Sequence, residues 1–227
     1  MIITERRLKI LVVEMTILKN RKEWLKNRMN GIGGSEISAV VGCNPYMDNI
    51  TLWKIKTGQI EPEDISDKPF VKYGNDAEHH LRELFKLDFP EYSVNYIENN
   101  SFYNDKYPFA RASLDGWLED ENSRKGILEI KTTEILQSMQ KEKWNKQIPQ
   151  NYYCQVLFYM AVLEADFAVL KAQLKTVFDG VPYLQTKHYP IERKDVEADI
   201  QYLMQEGEKF WQYVQSGKMP PLRLPEI

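Results

Sequence analysis

Cysteine and histidine are scarce in this chain: two cysteines, Cys43 and Cys154, and three histidines in 227 residues. No Cys-x-x-Cys pair occurs, which excludes a four-cysteine zinc or iron–sulfur site built within one chain. Both thiols lie in apolar stretches that read as helical, and they suit a reducing cytosol. Long apolar runs are also missing, so no segment has the length of a membrane span. The run Ile10–Val13 is too short for the core of a signal peptide, and no small-residue cleavage site follows it. The expectation is a cytoplasmic protein without membrane association. Positive charge is not in excess either: 30 Lys and Arg stand against 33 Asp and Glu, a net charge of -3. A polyanion partner would have to be met by cations gathered locally. The glycines at 31, 33 and 34 lead into no Gly-Lys-Ser/Thr. That argues against a Walker-type nucleotide hydrolase.

What is present suits one globular domain spanning 1–227. Residues 21–30 read as a basic helix broken by Gly31-Ile32-Gly33-Gly34. Ser35 reads as the N-cap of a helix over 36–41, closed by Gly42. Residues 51–57 form a further helix stopped by Gly58. The apolar spacing of Ala77, Leu81, Leu84 and Phe85 predicts a helix over 75–85. Residues 102–119 and 126–132 alternate as strands do. Pro149 suits the first turn of an apolar helix reaching Leu163. Strands at 167–174 and 184–191 are joined across Asp179-Gly180. An amphipathic helix covers 193–215, and a proline-rich tail follows at 216–227. This order predicts an α/β fold, a single mixed central β-sheet flanked by helices.

The chemistry concentrates in Ser113-Leu114-Asp115-Gly116 and Ile127-Leu128-Glu129-Ile130-Lys131. Alternation along a strand turns Glu129 and Lys131 to one face and Leu128 and Ile130 to the core. A hairpin would bring Asp115 beside Glu129. Two carboxylates, with the Ile130 carbonyl, offer a hard divalent cation its oxygen ligands. Such a cation polarises a phosphate and acidifies bound water. Lys131 can orient the attacking water and stabilise developing charge. The all-oxygen donor set favours Mg²⁺, with Mn²⁺ as a substitute. Each motif also has a plain structural reading, since Glu-x-Lys is a common surface ion pair and Asp-Gly a common turn.

Glu78 could supply a third carboxylate, or simply cap a helix through Asn75-x-x-Glu78. Gln155 lies in an apolar helix, where a buried amide needs a partner, and Tyr159 shares its face. On a solvent face it would need none. A second cluster comprises Arg28, the three glycines and Ser35. Glycine allows close backbone approach, the helix start offers N–H groups, and Arg28 could clamp a phosphate. Glycines before a helix can equally be only a turn.

Taken in order, these residues make a pattern. It runs Trp24-x-x-x-Arg28-x-x-Gly31-Ile32-Gly33-Gly34-Ser35-Glu36, Gly74-x-x-x-Glu78, Ser113-x-Asp115-Gly116, Glu129-x-Lys131, Gln155-x-x-x-Tyr159. It resembles the YqaJ-like viral recombinase family of the PD-(D/E)xK nucleases, to which phage lambda exonuclease is related. The resemblance covers about residues 20–165. It implies a restriction-endonuclease-like core and 5′-to-3′ digestion of one strand of duplex DNA ends. Mononucleotides are released, and a 3′ overhang is left for a single-strand annealing protein. It also implies a ring trimer in a bacterial cytoplasm. On this mapping Asp115, Glu129 and Glu78 hold Mg²⁺, Lys131 positions water and Gln155 supports the site. Arg28, Ser35 and Ser113 hold the terminal 5′-phosphate. Leu114 stands where the pattern has proline, and the 44–49 loop has no arginine. Lys141 and Lys143 are candidates for a further phosphate contact. The competing readings are an endonuclease of restriction or repair and a non-catalytic DNA-end binder.

Overall fold

A computed structural model describes residues 13–224. Residues 10–12 of the N-terminal apolar run, and 225–227 of the tail, lie outside the described residues. In chain order the elements are β1 (Val13–Ile17), α1 (Arg21–Met29), β2 (Ile32–Gly33), α2 (Gly34–Val40) and α3 (Asn49–Lys56). Then come α4 (Pro69–Asp88), β3 (Ser93–Asn95), β4 (Asn100–Asn104), β5 (Ala110–Arg111), β6 (Gly116–Glu119) and β7 (Lys125–Glu134). The last are α5 (Ser138–Glu142), α6 (Gln150–Leu163), β8 (Phe167–Phe178), β9 (Val181–Glu192) and α7 (Arg193–Ser216).

The central sheet has five strands in the order β3-β6-β7-β8-β9. Only β7 and β8 run parallel, and α6 makes the crossover between them. Their side chains sort by parity into two cores. Leu128, Ile130, Phe167 and Val169 pack with Leu81 and Phe85 of α4. Ile127, Ala168, Leu170 and Ala172 pack with Val156, Leu157 and Met160 of α6. Helices cover both faces, as the mixed α/β expectation requires. The β8–β9 hairpin turns at Asp179 and Gly180, both at positive φ (49° and 75°), the geometry of a two-residue turn that glycine eases.

Several sequence expectations need correction. The sheet is accompanied by two small ones, β1-β4 antiparallel and β2-β5 parallel. α4 starts at Pro69, with proline in its first turn, so Glu78 lies well inside the helix and does not cap it. α2 begins at Gly34 with Gly33 as its N-cap; Ser35 is therefore in the first turn and does not cap the helix. Pro149 is the residue before α6. Cys43 follows α2 and is not within a helix. Gly116 opens β6, and the hairpin turn to β7 lies between residues 119 and 125. The tail docks on the body: the Asn49 side-chain amide donates to the Pro221 carbonyl at 2.8 Å and accepts the Arg223 N–H at 2.9 Å. Phe210 is buried in the core.

The small β2-β5 sheet brings together the segments that carry Ser35 and Ser113. Ile32 and Gly33 pair with Ala110 and Arg111, so the chain entering α2 lies beside the chain leading to Ser113. The buried Asn100 side chain grips both backbone groups of Leu114, accepting its N–H at 2.8 Å and donating to its carbonyl at 2.9 Å. That grip fixes the residues on either side, Ser113 and Asp115.

Candidate active site

β6 reaches only as far as the Gly116–Leu128 pair, while β7 continues. Beyond that point the edge of β7 facing β6 has no strand partner. The Asp115 carboxylate takes the place, its Oδ2 accepting the Ile130 N–H at 2.8 Å. In an extended strand a residue's N–H and C=O point to the same edge, so the Ile130 carbonyl shares the edge that Asp115 closes. Asp115, Glu129 and Ile130 thus meet where β6 stops.

Glu129 is only 1% exposed and lies on the α6 face, so the face opposite Leu128 and Ile130 is also interior. Its Oε1 accepts from Gln155 Nε2 at 2.7 Å and pairs with Lys131. Gln155 also donates to the Tyr159 hydroxyl at 3.2 Å. The amide therefore has the partners that a buried position demands. Glu78 pairs with Arg82 at 2.9 Å, and the same Arg82 nitrogen donates to the Asp115 carbonyl at 2.6 Å.

Charge balance in the cluster is unfavourable without a cation. Burial, then the nearby Asp115 charge, pushes Glu129 up to about 8 and Glu78 up to about 7. Burial also raises Asp115, against the pull of Lys131 and the Ile130 N–H. Lys131 is held charged, because Glu129 and Asp115 outweigh its burial. Among the described residues no three acidic, His or Cys side chains stand as a ready cation cage. Glu78 is turned to Arg82, and one oxygen of Glu129 is taken by Lys131 and Gln155. The other, Glu129 Oε2, is buried with no hydrogen-bond partner. An orphaned buried carboxylate oxygen among mutually repelling carboxylates suits a hard divalent cation.

Arg28, Ser35 and Ser113 come together around a cavity of about 30 Å³, lined also by Trp24, Ser101 and Arg111. Arg28 Nη2 donates to Ser35 Oγ at 3.0 Å, and its guanidinium lies 4.7 Å from the centre of the Trp24 ring. Trp24 Nε1 donates to Ser113 Oγ at 3.4 Å. α2 has only seven residues, and the Gly33 N–H is taken by Glu36 at 2.7 Å. Gly33, Gly34 and Ser35 line the cavity too, so the first turn of α2 borders it together with the side chains. Tyr159 lines this cavity as well. The Tyr159–Gln155 edge of α6 is thus a wall between the cavity and the carboxylates.

Sequence reasoning missed Arg82, Asn100, Lys56 and Arg111. Arg82 had a signal in its spacing of four from Glu78 on one helix. Asn100 and Lys56 had none, because their partners Leu114 and Glu36 are distant in the chain; Arg111 bonds the nearby Pro108 and Ala110 carbonyls, and the fold alone brings it to the cavity. Lys141 and Lys143 are exposed at α5, with no bond to the site.

Fold and site together define a class: a two-sided α/β sheet carrying carboxylates and a lysine where one strand outruns its neighbour. The chain belongs to the YqaJ-like viral recombinase domain family, whose sequence profile matches residues 23–166. The Bacillus subtilis (strain 168) protein described as "Uncharacterized protein YqaJ" is 29% identical over 222 residues, covering 96% of this chain and 64% of that protein. The chain thus spans less than two thirds of that relative's length. Among solved structures, an alkaline exonuclease from Laribacter hongkongensis is similar with a TM-score of 0.66 at 18% identity, over 86% of this chain and 93% of that one. A phage-related exonuclease from Haemophilus somnus 129PT gives 0.52 at 13% identity, over 82% and 96%. At these identities the likeness establishes the fold.

Proposed function

We propose that this protein is a Mg²⁺-dependent 5′-to-3′ exonuclease of double-stranded DNA ends. It releases 5′-mononucleotides and leaves a 3′ overhang for a single-strand annealing protein. It works as a ring-shaped homo-oligomer, by family resemblance a trimer, in a bacterial cytoplasm. The observation that carries the reading is the juxtaposition of two sites across one helix edge. A buried carboxylate–lysine cluster stands on one side of Tyr159 and Gln155, and the Arg28–Ser35–Ser113 cavity on the other. An enzyme that cuts within a duplex has little use for a pocket that receives a chain end.

Asp115, Glu129 and Glu78 with the Ile130 carbonyl would hold the cation. When bound, it would polarise the scissile phosphate and acidify water. Glu78, which pairs with Arg82 here, would have to leave it to join that set. Lys131 orients the attacking water and offsets charge developing on the phosphate. Gln155 holds Glu129 in place, its own amide fixed by Tyr159. Arg28, Ser35 and Ser113 receive the terminal 5′-phosphate and set which bond lies at the carboxylates.

The test is digestion of linear duplexes labelled at the 5′ or the 3′ end, beside a closed circle, in Mg²⁺. Early release of the 5′-labelled mononucleotide with the circle intact is expected. A nicked or linearised circle would make the protein an endonuclease. No cleavage in Mg²⁺ or Mn²⁺ would make it a DNA-end binder.

A further inference from the structure

Behind the cavity lie two buried side chains of opposite charge that the proposed reaction does not use. Lys56 of α3 is 7% exposed, and Glu36 of α2 is 8% exposed. Lys56 Nζ pairs with Glu36 Oε2 at 2.8 Å and donates to the Arg28 carbonyl at 2.7 Å. Glu36 Oε2 also accepts the Gly33 N–H at 2.7 Å, and its Oε1 lies 3.1 Å from Arg28 Nη2. One carboxylate therefore ties α1, the β2 segment and α3 together.

Both ends of Arg28 are held by this pair. Lys56 holds its backbone carbonyl near the end of α1. Glu36 and Ser35 hold Nη2 of its guanidinium. An arginine has five donors in a planar fork. Among the described residues the hydrogen bond and the ion pair of the Arg28 side chain both use Nη2, so Nε and Nη1 are the donors a ligand could take.

A trap built only to attract a phosphate would omit Glu36. Arg28 and Lys56 alone would carry two positive charges, and Glu36 brings the sum of the three to one. Stability does not explain the pair well either, because an apolar pair of the same volume commonly serves as well as a buried ion pair. What the arrangement supplies is a fixed direction for one guanidinium.

We propose that Glu36 and Lys56 are positioning residues that preset Arg28 for a terminal 5′-phosphate, so that phosphorylated and hydroxyl ends are told apart by geometry and not by accumulated charge. This rests on the exonuclease reading above. The two explanations give Glu36→Gln opposite signs. Removing a negative charge beside Arg28 strengthens a charge trap and weakens a geometric one.

The experiment is equilibrium binding by fluorescence anisotropy, in EDTA to prevent cleavage. Two duplexes are compared, identical but for a 5′-phosphate or a 5′-hydroxyl end. The wild-type protein is expected to bind the phosphorylated end more tightly. Glu36→Gln and Lys56→Met should each lower that preference about tenfold, the scale of one charged hydrogen bond. In an Arg28→Ala background neither should lower it further, which separates action through Arg28 from a general loss of structure. If Lys56→Met does not fold, the near-isosteric Glu36→Gln carries the test, with circular dichroism confirming its fold. A preference raised or unchanged by Glu36→Gln, or equal losses with and without Arg28, overturns the inference and leaves the exonuclease reading standing. No preference in the wild-type protein overturns the cavity assignment and this inference with it.

Discussion

Lys131 depends on its neighbours for its charge. Its ammonium is kept charged by Glu129 and Asp115 despite burial, and removing it leaves both carboxylates in place. Lys131→Ala is therefore expected to abolish cleavage while keeping metal-dependent DNA binding; full activity in that variant would remove Lys131 from the mechanism. Glu129 and Glu78 predict a pH effect on the metal-free protein. Their folded values, about 8 and about 7, lie above the ordinary 4.5 of a glutamate. Between pH 4.5 and 8 the folded state therefore binds more protons than the unfolded one, and this contribution to stability falls as pH rises. Melting curves of wild-type and Glu129→Gln protein in EDTA, at pH 6 and pH 8.5, check it. The variant should gain on the wild type at the higher pH, and a constant difference would contradict the shift.

At the scale of elements, the contact between α2 and α6 forms one side of the cavity. A methyl group on Gly34 would drive into the Tyr159 ring. Gly34→Ala should cost on the order of 1–3 kcal/mol by overpacking and reduce activity, since Tyr159 supports Gln155. Urea unfolding of both proteins measures this, and an unchanged midpoint would mean that α2 shifts freely. The same contacts explain what was readable in the sequence. Glu129-x-Lys131 was legible because a strand's period of two is strict, and the main strands and helices stood out by their apolar spacing. The start of α4 was not legible. Gly74 and Asn75 look like a boundary, yet Gly74 lies inside the helix close to Thr132, where a Cβ would come within 3.2 Å of its hydroxyl. β2 and β5 have two residues each, too few to show any period, and they are what bring Ser113 to Ser35. Glu36 and Lys56 are twenty positions apart on separate helices, so only the fold makes them a pair.

For the whole molecule, a net charge of -3 coexists with Arg28, Arg111 and Lys131 gathered around the cavity and the carboxylates. The affinity for duplex ends should therefore fall steeply with salt despite the overall acidity, with a negative slope of log K against log salt. Titrations over about 50 to 200 mM salt measure it, and a flat line would show that phosphate contacts contribute little. The edge of α6 that separates the two sites has a further consequence. Gln155 and Tyr159 are one helical turn apart, about 6 Å along the axis. Gln155 touches Glu129, and Tyr159 borders the cavity that holds Arg28, Ser35 and Ser113. If the carboxylates cut and the cavity receives the chain end, a rigid helix acts as a ruler under the substrate. On the exonuclease reading proposed above, the length of each product would be a property of the scaffold, set before any DNA arrives, and lengthening the stride would require rebuilding the helix.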